Sequence, residues 1–265
     1  GYQTLGEILR SVPGLYTTYD RNYDRLGVNG FCYGGDYNTR ILFLLDGHRL
    51  NENVGDILTN GTEFIVDVDN IERIEVIRGP GSSLYGSNAL LAVVNIITKS
   101  GTKDNLTQIM AQRASHDTTK GRLTWEHALK PDMNIYLSGS RYCSNSQSLY
   151  YPEYDDPETH YGRVRNDEDR YYALFGKLTW GDASLVVAHN TRDKEVPTGA
   201  WETIFGDPRF TTRDRSTLVG LNYQRQISDE FTLKASASYN YMNYSGNYPS
   251  DYAEEGEDPY ICLLY

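Results

Sequence analysis

The sequence predicts a small α+β domain over residues 1–100, followed over 101–265 by the first strands of an incomplete antiparallel transmembrane β-barrel. Three observations predict it. The hydrophobic period changes near residue 100, the later segments alternate over about ten residues each, and the connections between them are alternately tight and long.

The first domain opens with Thr4-Leu5-Gly6-Glu7, where Thr4 caps a helix and Glu7 reaches back to it. Leu5, Ile8, Leu9 and Val12 recur at helical spacing, and Pro13-Gly14 ends the helix. Residues 41–45 form a continuous apolar run closed by Asp46-Gly47, and 71–77 form a second strand closed by Gly79-Pro80-Gly81. A short helical segment over 83–90 leads into a third strand, 92–98.

About seven barrel strands follow, over 104–114, 120–129, 133–143, 170–180, 183–192, 213–226 and 231–244. In the last, Phe231, Leu233, Ala235, Ala237, Tyr239 and Tyr241 share one face, and Thr232, Lys234, Ser236, Ser238 and Asn240 share the other. Aromatics end the apolar face, as they do where a strand crosses two membrane interfaces, and Trp125, Tyr172 and Trp180 fit similar girdle positions. Residues 183–188 are apolar on both faces, so alternation assigns them no side.

Lys130-Pro131-Asp132, Gly181-Asp182 and Ser228-Asp229-Glu230 are tight turns, whereas 145–169, 193–212 and the stretch from 245 are long excursions. The short link 115–119 falls on the long side by parity. A transmembrane barrel puts its long loops at one end; a soluble antiparallel β-domain, the alternative, has no reason to.

Composition narrows the classes further. No run reaches the roughly 18 apolar residues of a membrane helix, and a net charge of −11 disfavours a nucleic-acid partner. Cys32, Cys143 and Cys262 have neither metal-ligand spacing nor an even count. Residues 1–10 lack a basic n-region and an apolar h-region, so either the protein is cytosolic or its true start is missing.

The run from Ile71-Glu72-Arg73-Ile74-Glu75-Val76-Ile77-Arg78-Gly79-Pro80-Gly81 through Leu84-Tyr85-Gly86-Ser87-Asn88-Ala89 to Val93-Val94-Asn95-Ile96-Ile97-Thr98-Lys99 resembles the end of the plug domain in TonB-dependent outer-membrane receptors. Leu9-Arg10-Ser11-Val12-Pro13-Gly14-Leu15, Gly27-Val28-Asn29-Gly30-Phe31 and Leu44-Leu45-Asp46-Gly47 resemble that family's other plug signatures, in order. The resemblance covers nearly all of residues 4–100. It implies that the first domain sits inside the barrel, and that the complete protein is an importer driven by a TonB-type energising complex. By the same resemblance the ligand is a ferric siderophore or similar chelate, or a corrinoid, and the surroundings are outer-membrane lipid.

The resemblance also implies site residues. Asp46, Gly47, Arg73, Glu75, Arg78, Gly79, Pro80, Tyr85, Gly86 and Asn95 would form the plug motif that contacts and gates the barrel. Arg73, Glu75 and Arg78 would supply ionic contacts to its wall. Phe31, Tyr33, Tyr37, Asn51, Asn53 and Asp56 would sit at the plug apices that meet the ligand. Three departures stand out: the TonB box and first plug strand have no counterpart, Asn29 replaces the family's usual Arg, and plugged transporters have about 22 strands.

Other chemistry finds little footing. Gly79-Pro80-Gly81-Ser82-Ser83 lacks the third glycine and the Lys-Ser or Lys-Thr pair of phosphate-binding loops. His48, His116, His127, His160 and His189 are scattered, so no catalytic centre, metal site or cofactor is implied. Acidic, tyrosine-rich stretches over 150–158 and 251–258 do not have EF-hand spacing. The rival functions are a soluble periplasmic ligand-binding module and, behind it, a glycan-acting enzyme using paired carboxylates.

Overall fold

A computed structural model describes residues 1–32, 34–101, 105–252 and 261–264. Helix α1 (Leu5–Leu9) is capped by Thr4, whose hydroxyl accepts the Glu7 N–H at 3.2 Å. The Glu7 carboxylate accepts the N–H of Gln3 at 2.6 Å, one residue earlier than in a regular capping box. A hairpin of β1 (Leu15–Tyr19) and β2 (Asp24–Val28) follows, which the sequence pattern did not signal.

Strands β3 (Ile41–Leu45), β4 (His48–Arg49), β5 (Ile71–Arg78) and β6 (Ala92–Thr98) form one sheet in the order β4-β3-β6-β5. β3 and β6 pair in parallel at its centre. Central parallel strands are covered on both faces, which is why β3 reads as an unbroken apolar run. Helix α2 (Ser82–Tyr85) is shorter than expected, because Gly86 turns into the left-handed region at φ +78° and ends it.

The second half is one antiparallel sheet of β7 (Leu106–Arg113), β8 (Thr119–Lys130) and β9 (Met133–Ser144), then, beyond a long connection, β12 (Asp169–Trp180), β13 (Ala183–Glu195), β14 (Thr211–Gln226), β15 (Thr232–Asp251) and β16 (Ile261–Leu264). That connection carries a small hairpin of β10 (Leu149–Tyr150) and β11 (Arg163–Val164). All seven expected strands are present. β16 adds an eighth, paired to the end of β15, which itself runs past 244. The sheet is open, with β7 and β16 at its edges.

One face of this wall carries the first domain, and the two share a core. Tyr136, Phe175, Val186, Ala188 and Leu218 of the wall pack with Leu5, Leu9, Phe43, Val94 and Ile96. Shared packing resolves the ambiguous stretch at 183–188: Val186 and Ala188 are buried inward, while Leu185 and Val187 are exposed on the outer face. Both faces are apolar, one packed on the first domain and the other exposed on the outside of the wall. Gly220 allows the closest approach, since a Cβ there would lie 2.4 Å from the His48 ring.

The outer face alternates as a membrane-crossing wall does. Ile109, Leu123, Trp125, Leu137, Leu174, Val219, Leu221 and Tyr239 are all exposed. Tyr172 and Trp180 bracket this band on β12, a stretch of about 20 Å at roughly 3.3 Å per residue once tilted, against the ~25 Å band of outer-membrane barrels. Cys32, Cys143 and Cys262 are free thiols.

Candidate functional site

At the long-loop end, the plug and the wall enclose a cavity of about 410 Å³. The plug supplies Tyr23, Tyr37 and the 57–59 segment; β14 and β15 supply Asp214, Met242, Tyr244 and Tyr248; the β13–β14 connection supplies Trp201 and Phe210. Alternation on strands and a long loop thus bring six aromatic rings to one space. Tyr23 and Tyr37 meet edge to face at 5.7 Å, Phe210 and Tyr248 lie 5.3 Å apart, and the Tyr244 and Tyr248 hydroxyls are hydrogen-bonded. Arg25 stacks over the Tyr37 ring at 5.6 Å.

Trp201 is 67% exposed at this site. It and Glu202 both adopt left-handed backbone, at φ +61° and +62°, a conformation that costs a non-glycine residue on the order of 1 kcal/mol or more. The Ala200 carbonyl fixes the turn by accepting the N–H and hydroxyl of Thr203 at 3.3 and 2.7 Å. The chain therefore accepts strain to present an indole to solvent beside the cavity.

Beneath the aromatic floor lies a buried ionic centre. Arg192, 1% exposed on the inner face of β13, approaches Asp169 at 3.1 Å, Asp214 at 3.5 Å and the plug's Glu63 at 3.6 Å. Its guanidinium donates to the Asn22 carbonyl at 2.8 Å and lies 5.6 Å from the Tyr23 ring. The Tyr23 hydroxyl donates to Asp214 at 2.9 Å. Burial and the Asp214 carboxylate push the Tyr23 phenol up, so it remains a donor. Burial likewise pushes Glu63 up, and burial with the Glu63 charge lifts Asp24 to about 7.

A carboxyl whose folded pKa is raised stabilises the fold fully below its unfolded pKa of 3.8, and that contribution falls as pH rises toward 7. Asp24→Asn is therefore expected to match the parent chain near pH 4 and to exceed it at pH 8, in urea midpoints measured on the chain in detergent micelles. A gain at pH 4 equal to that at pH 8 would contradict the assignment.

Two further anchors join plug to wall with the same polarity, anions on the plug and cations on the wall. Lys120 of β8 meets Asp67 at 2.8 Å, their side chains 2% and 0% exposed, and Asp69 at 3.3 Å; Arg122 meets Asp69 at 2.8 Å. Lys177 of β12 meets Asp46 at 3.0 Å and donates to the Thr98 carbonyl at 3.2 Å. The segment 62–70 thus lies along the inner wall, touching β12 through Thr62–Asp169, β13 through Phe64–Asn190, β8 through Asp67 and β9 through Asn70–Tyr136.

Of the expected plug-motif residues, Asp46 reaches the wall. Gly47, at φ +85°, donates to Asn95, and Asn95 donates to Glu75 at 3.0 Å. The expected ionic contacts from Arg73, Glu75 and Arg78 to the wall are not made among the described residues. Arg73 pairs with Glu72 and Glu75, and Arg78 donates to the Pro13 carbonyl. The reason is topological: β5 is the edge of the plug sheet, Arg73 and Glu75 share the face turned away from the core that Ile74 and Val76 meet, and Arg78, on the other register at the end of the strand, is held by the Pro13 carbonyl. Gly79, at φ +98°, makes the turn after β5, and Pro80, Tyr85 and Gly86 lie exposed beyond it.

Of the expected apex residues, Tyr37 lines the aromatic cavity. Asn51 does not: it is 2% exposed and holds the Phe43 N–H and the Ile41 and Asp56 carbonyls. Asp56 pairs with Arg49, Asn53 is exposed at a turn, and Phe31 borders a separate hollow of about 160 Å³. Tyr33 lies outside the described residues, as does 253–258 of the second acidic stretch. In the first, Asp155 and Asp156 bind the loop's own Tyr150 hydroxyl and Thr159 N–H. Tyr23, Trp201, Phe210, Tyr244 and Tyr248 were missed; their signal was the excess of tyrosine, 23 against 7 Phe, and one tryptophan within a long connection.

Comparison with known proteins places these features. Residues 1–93 match the family model described as TonB-dependent Receptor Plug Domain. The vitamin B12 transporter BtuB of Vibrio cholerae is 28% identical across 93% of this chain and 39% of its own length. The iron-regulated outer membrane virulence protein of Vibrio cholerae is 35% identical across 52% of this chain and 22% of its own. The ferric yersiniabactin uptake receptor FyuA of Yersinia pestis superposes with a TM-score of 0.71 at 17% identity, covering 94% of this chain and 40% of that one. The chain thus spans well under half the length of the proteins it resembles.

Proposed function

We propose, from the match of residues 1–93 to the TonB-dependent receptor plug domain and the likeness of the whole chain to such receptors, that this chain is the plug domain and first barrel strands of an importer for a scarce ligand, a ferric siderophore or similar chelate, or a corrinoid. The aromatic cavity carries the reading. Its mouth is at the long-loop end, it is built jointly by plug and wall, and its volume suits a small-molecule site. Six rings offer flat contact surface at low entropic cost. The relative that matches most of the chain is a vitamin B12 transporter, and we read this chain as a transport protein and not an enzyme.

On this reading residues 1–100 are the plug and 101–265 belong to the barrel. Arg73 and Glu75 face wall beyond the described strands, and Arg78 braces the plug at Pro13. A TonB-type energising complex pulls the plug, and the ionic seam at Asp46, Glu63 and Asp67 is what the pull must release.

Trp201 provides the test. With Trp125→Phe and Trp180→Phe removing the outer-face indoles, its fluorescence should report ligand in the cavity. Titration with cyanocobalamin and with a panel of ferric siderophores should quench it saturably for one class. Tyr37→Ala with Tyr244→Ala should then weaken binding on the order of thirtyfold, the size of an interface hot spot. Saturable binding that these two substitutions leave unchanged would remove the cavity from the mechanism.

A further inference from the structure

The outer wall holds a second concavity, about 610 Å³, that ligand import does not use. Its floor is Gly139 of β9 and Gly176 of β12, both on the outer register and diagonal to one another, since Gly139 pairs with Leu174 and Gly176 with Leu137. A Cβ on either glycine would lie 3.4 or 3.2 Å from the leucine opposite, so the glycines keep a trough open where side chains would otherwise fill it. Leu123, Trp125, Leu174 and Val187 flank the trough, and its lining is almost wholly apolar.

One register row toward the long loops, the strands place Arg215, Thr191, Tyr172 and Arg141 side by side across β14, β13, β12 and β9. Arg141 and Arg215 are exposed and have no ion-pair partner among the described residues, although the stretch of β14 around Arg215 also borders the aromatic cavity. The next row up differs: Arg170 pairs with Glu168, and Arg213 with Asp193. Of the arginines in these two outer rows, Arg141 and Arg215 at the head of the apolar trough are the pair without a carboxylate among the described residues, in a chain of net charge −11. His189, between them and the trough, has its ring nitrogens on the Thr217 and Thr191 hydroxyls at 2.9 and 3.2 Å.

A guanidinium at the edge of a hydrocarbon layer is satisfied by an anion at headgroup depth, and bidentate geometry favours phosphate. We propose that this face is a lipid site: one acyl chain lies along Gly139 and Gly176, and the phosphate of the same lipid's headgroup is held by Arg141 and Arg215. The proposal rests on the wall facing lipid and is independent of which ligand the cavity takes.

The test uses the whole chain in detergent micelles, with phosphatidic acid and phosphatidylcholine of identical chains as probes, read by native mass spectrometry. Phosphatidic acid should be retained about twenty-five-fold better, given roughly fivefold for each of the two arginines at a lipid surface. Arg141→Ala with Arg215→Ala should bring the two lipids level, whereas Arg141→Lys with Arg215→Lys should keep most of the preference. Gly176→Val should weaken retention of both, and glycerol phosphate, which has no chains, should fail to displace the bound lipid. Unchanged far-UV circular dichroism establishes that each variant is folded. The proposal falls if the unaltered chain holds both lipids equally, if the paired alanine variant keeps its preference, if glycerol phosphate displaces the lipid, or if the trough is filled by a second copy of the chain that Gly176→Val dissociates.

Discussion

Arg192→Met is expected to unlock the plug from the wall, at a cost of about 3–5 kcal/mol, because it leaves Glu63, Asp169 and Asp214 around an empty centre. The deficit should depend on pH. Burial already holds the Glu63 carboxyl above its usual range, and loss of the guanidinium that opposes this shift raises it further. A carboxyl raised in the folded state binds its proton more tightly there than when unfolded, so folding is favoured at low pH and penalised as pH rises. The variant should lie well below the parent chain at pH 8 and closer to it at pH 5, in urea midpoints followed by tryptophan fluorescence. A deficit of equal size at both values would mean that Arg192 acts through packing and not through charge. Arg192→Lys should recover part of the loss, since lysine restores the charge but not the fork that engages Asp169 and the Asn22 carbonyl together.

The second large effect is expected at the Lys120–Asp67 pair, the most deeply buried of the three anchors. Lys120→Met alone strands a carboxylate with no exposure and should cost about 3–5 kcal/mol. Lys120→Met combined with Asp67→Leu should cost less than the single change, because neither charge is then left alone. Protease cleavage within 62–70, the plug segment lying against the wall, reads this directly: fast in the single variant and slowed again in the double. Arg73→Gln is the contrast. Arg73 is exposed between Glu72 and Glu75, and its loss should stay within about 0.5 kcal/mol. If Arg73→Gln loosened the plug as much as Lys120→Met, the described seam would not be what holds it.

Both expectations reverse the polarity that the plug motif by itself implied. The motif put cations on the plug, at Arg73 and Arg78, whereas the three buried anchors put anions there, at Asp46, Glu63 and Asp67, and a plug cation meets the second half at the more exposed Arg21–Asp167 pair. The wall cations were nevertheless legible in principle. Lys120, Arg122, Lys177 and Arg192 all fall on the register opposite the apolar face of their strands, and a charge inside a barrel needs a partner from whatever fills it. What alternation lacks is the identity of that partner, since Glu63 and Asp67 lie in a segment with no period of its own.

The sequence by itself determined the two-part architecture, all seven of the longer wall strands, which end of the wall carries long loops, and the family of the plug. Each of these follows from local pattern: a period of two, the chemistry of tight turns, and a motif read along one stretch of chain. Only the tertiary structure decided which face of 183–188 meets the plug, that Asn51 is a buried brace and not a ligand contact, and that Tyr23, Trp201, Phe210, Tyr244 and Tyr248 surround one cavity. The brace at Asn51 depends on strands and turns a few residues away folding around it, whereas the other two depend on plug and wall being pressed together, with energy from shared burial and from charges paired across the seam. Such terms are absent from any single segment and exist only once plug and wall are packed.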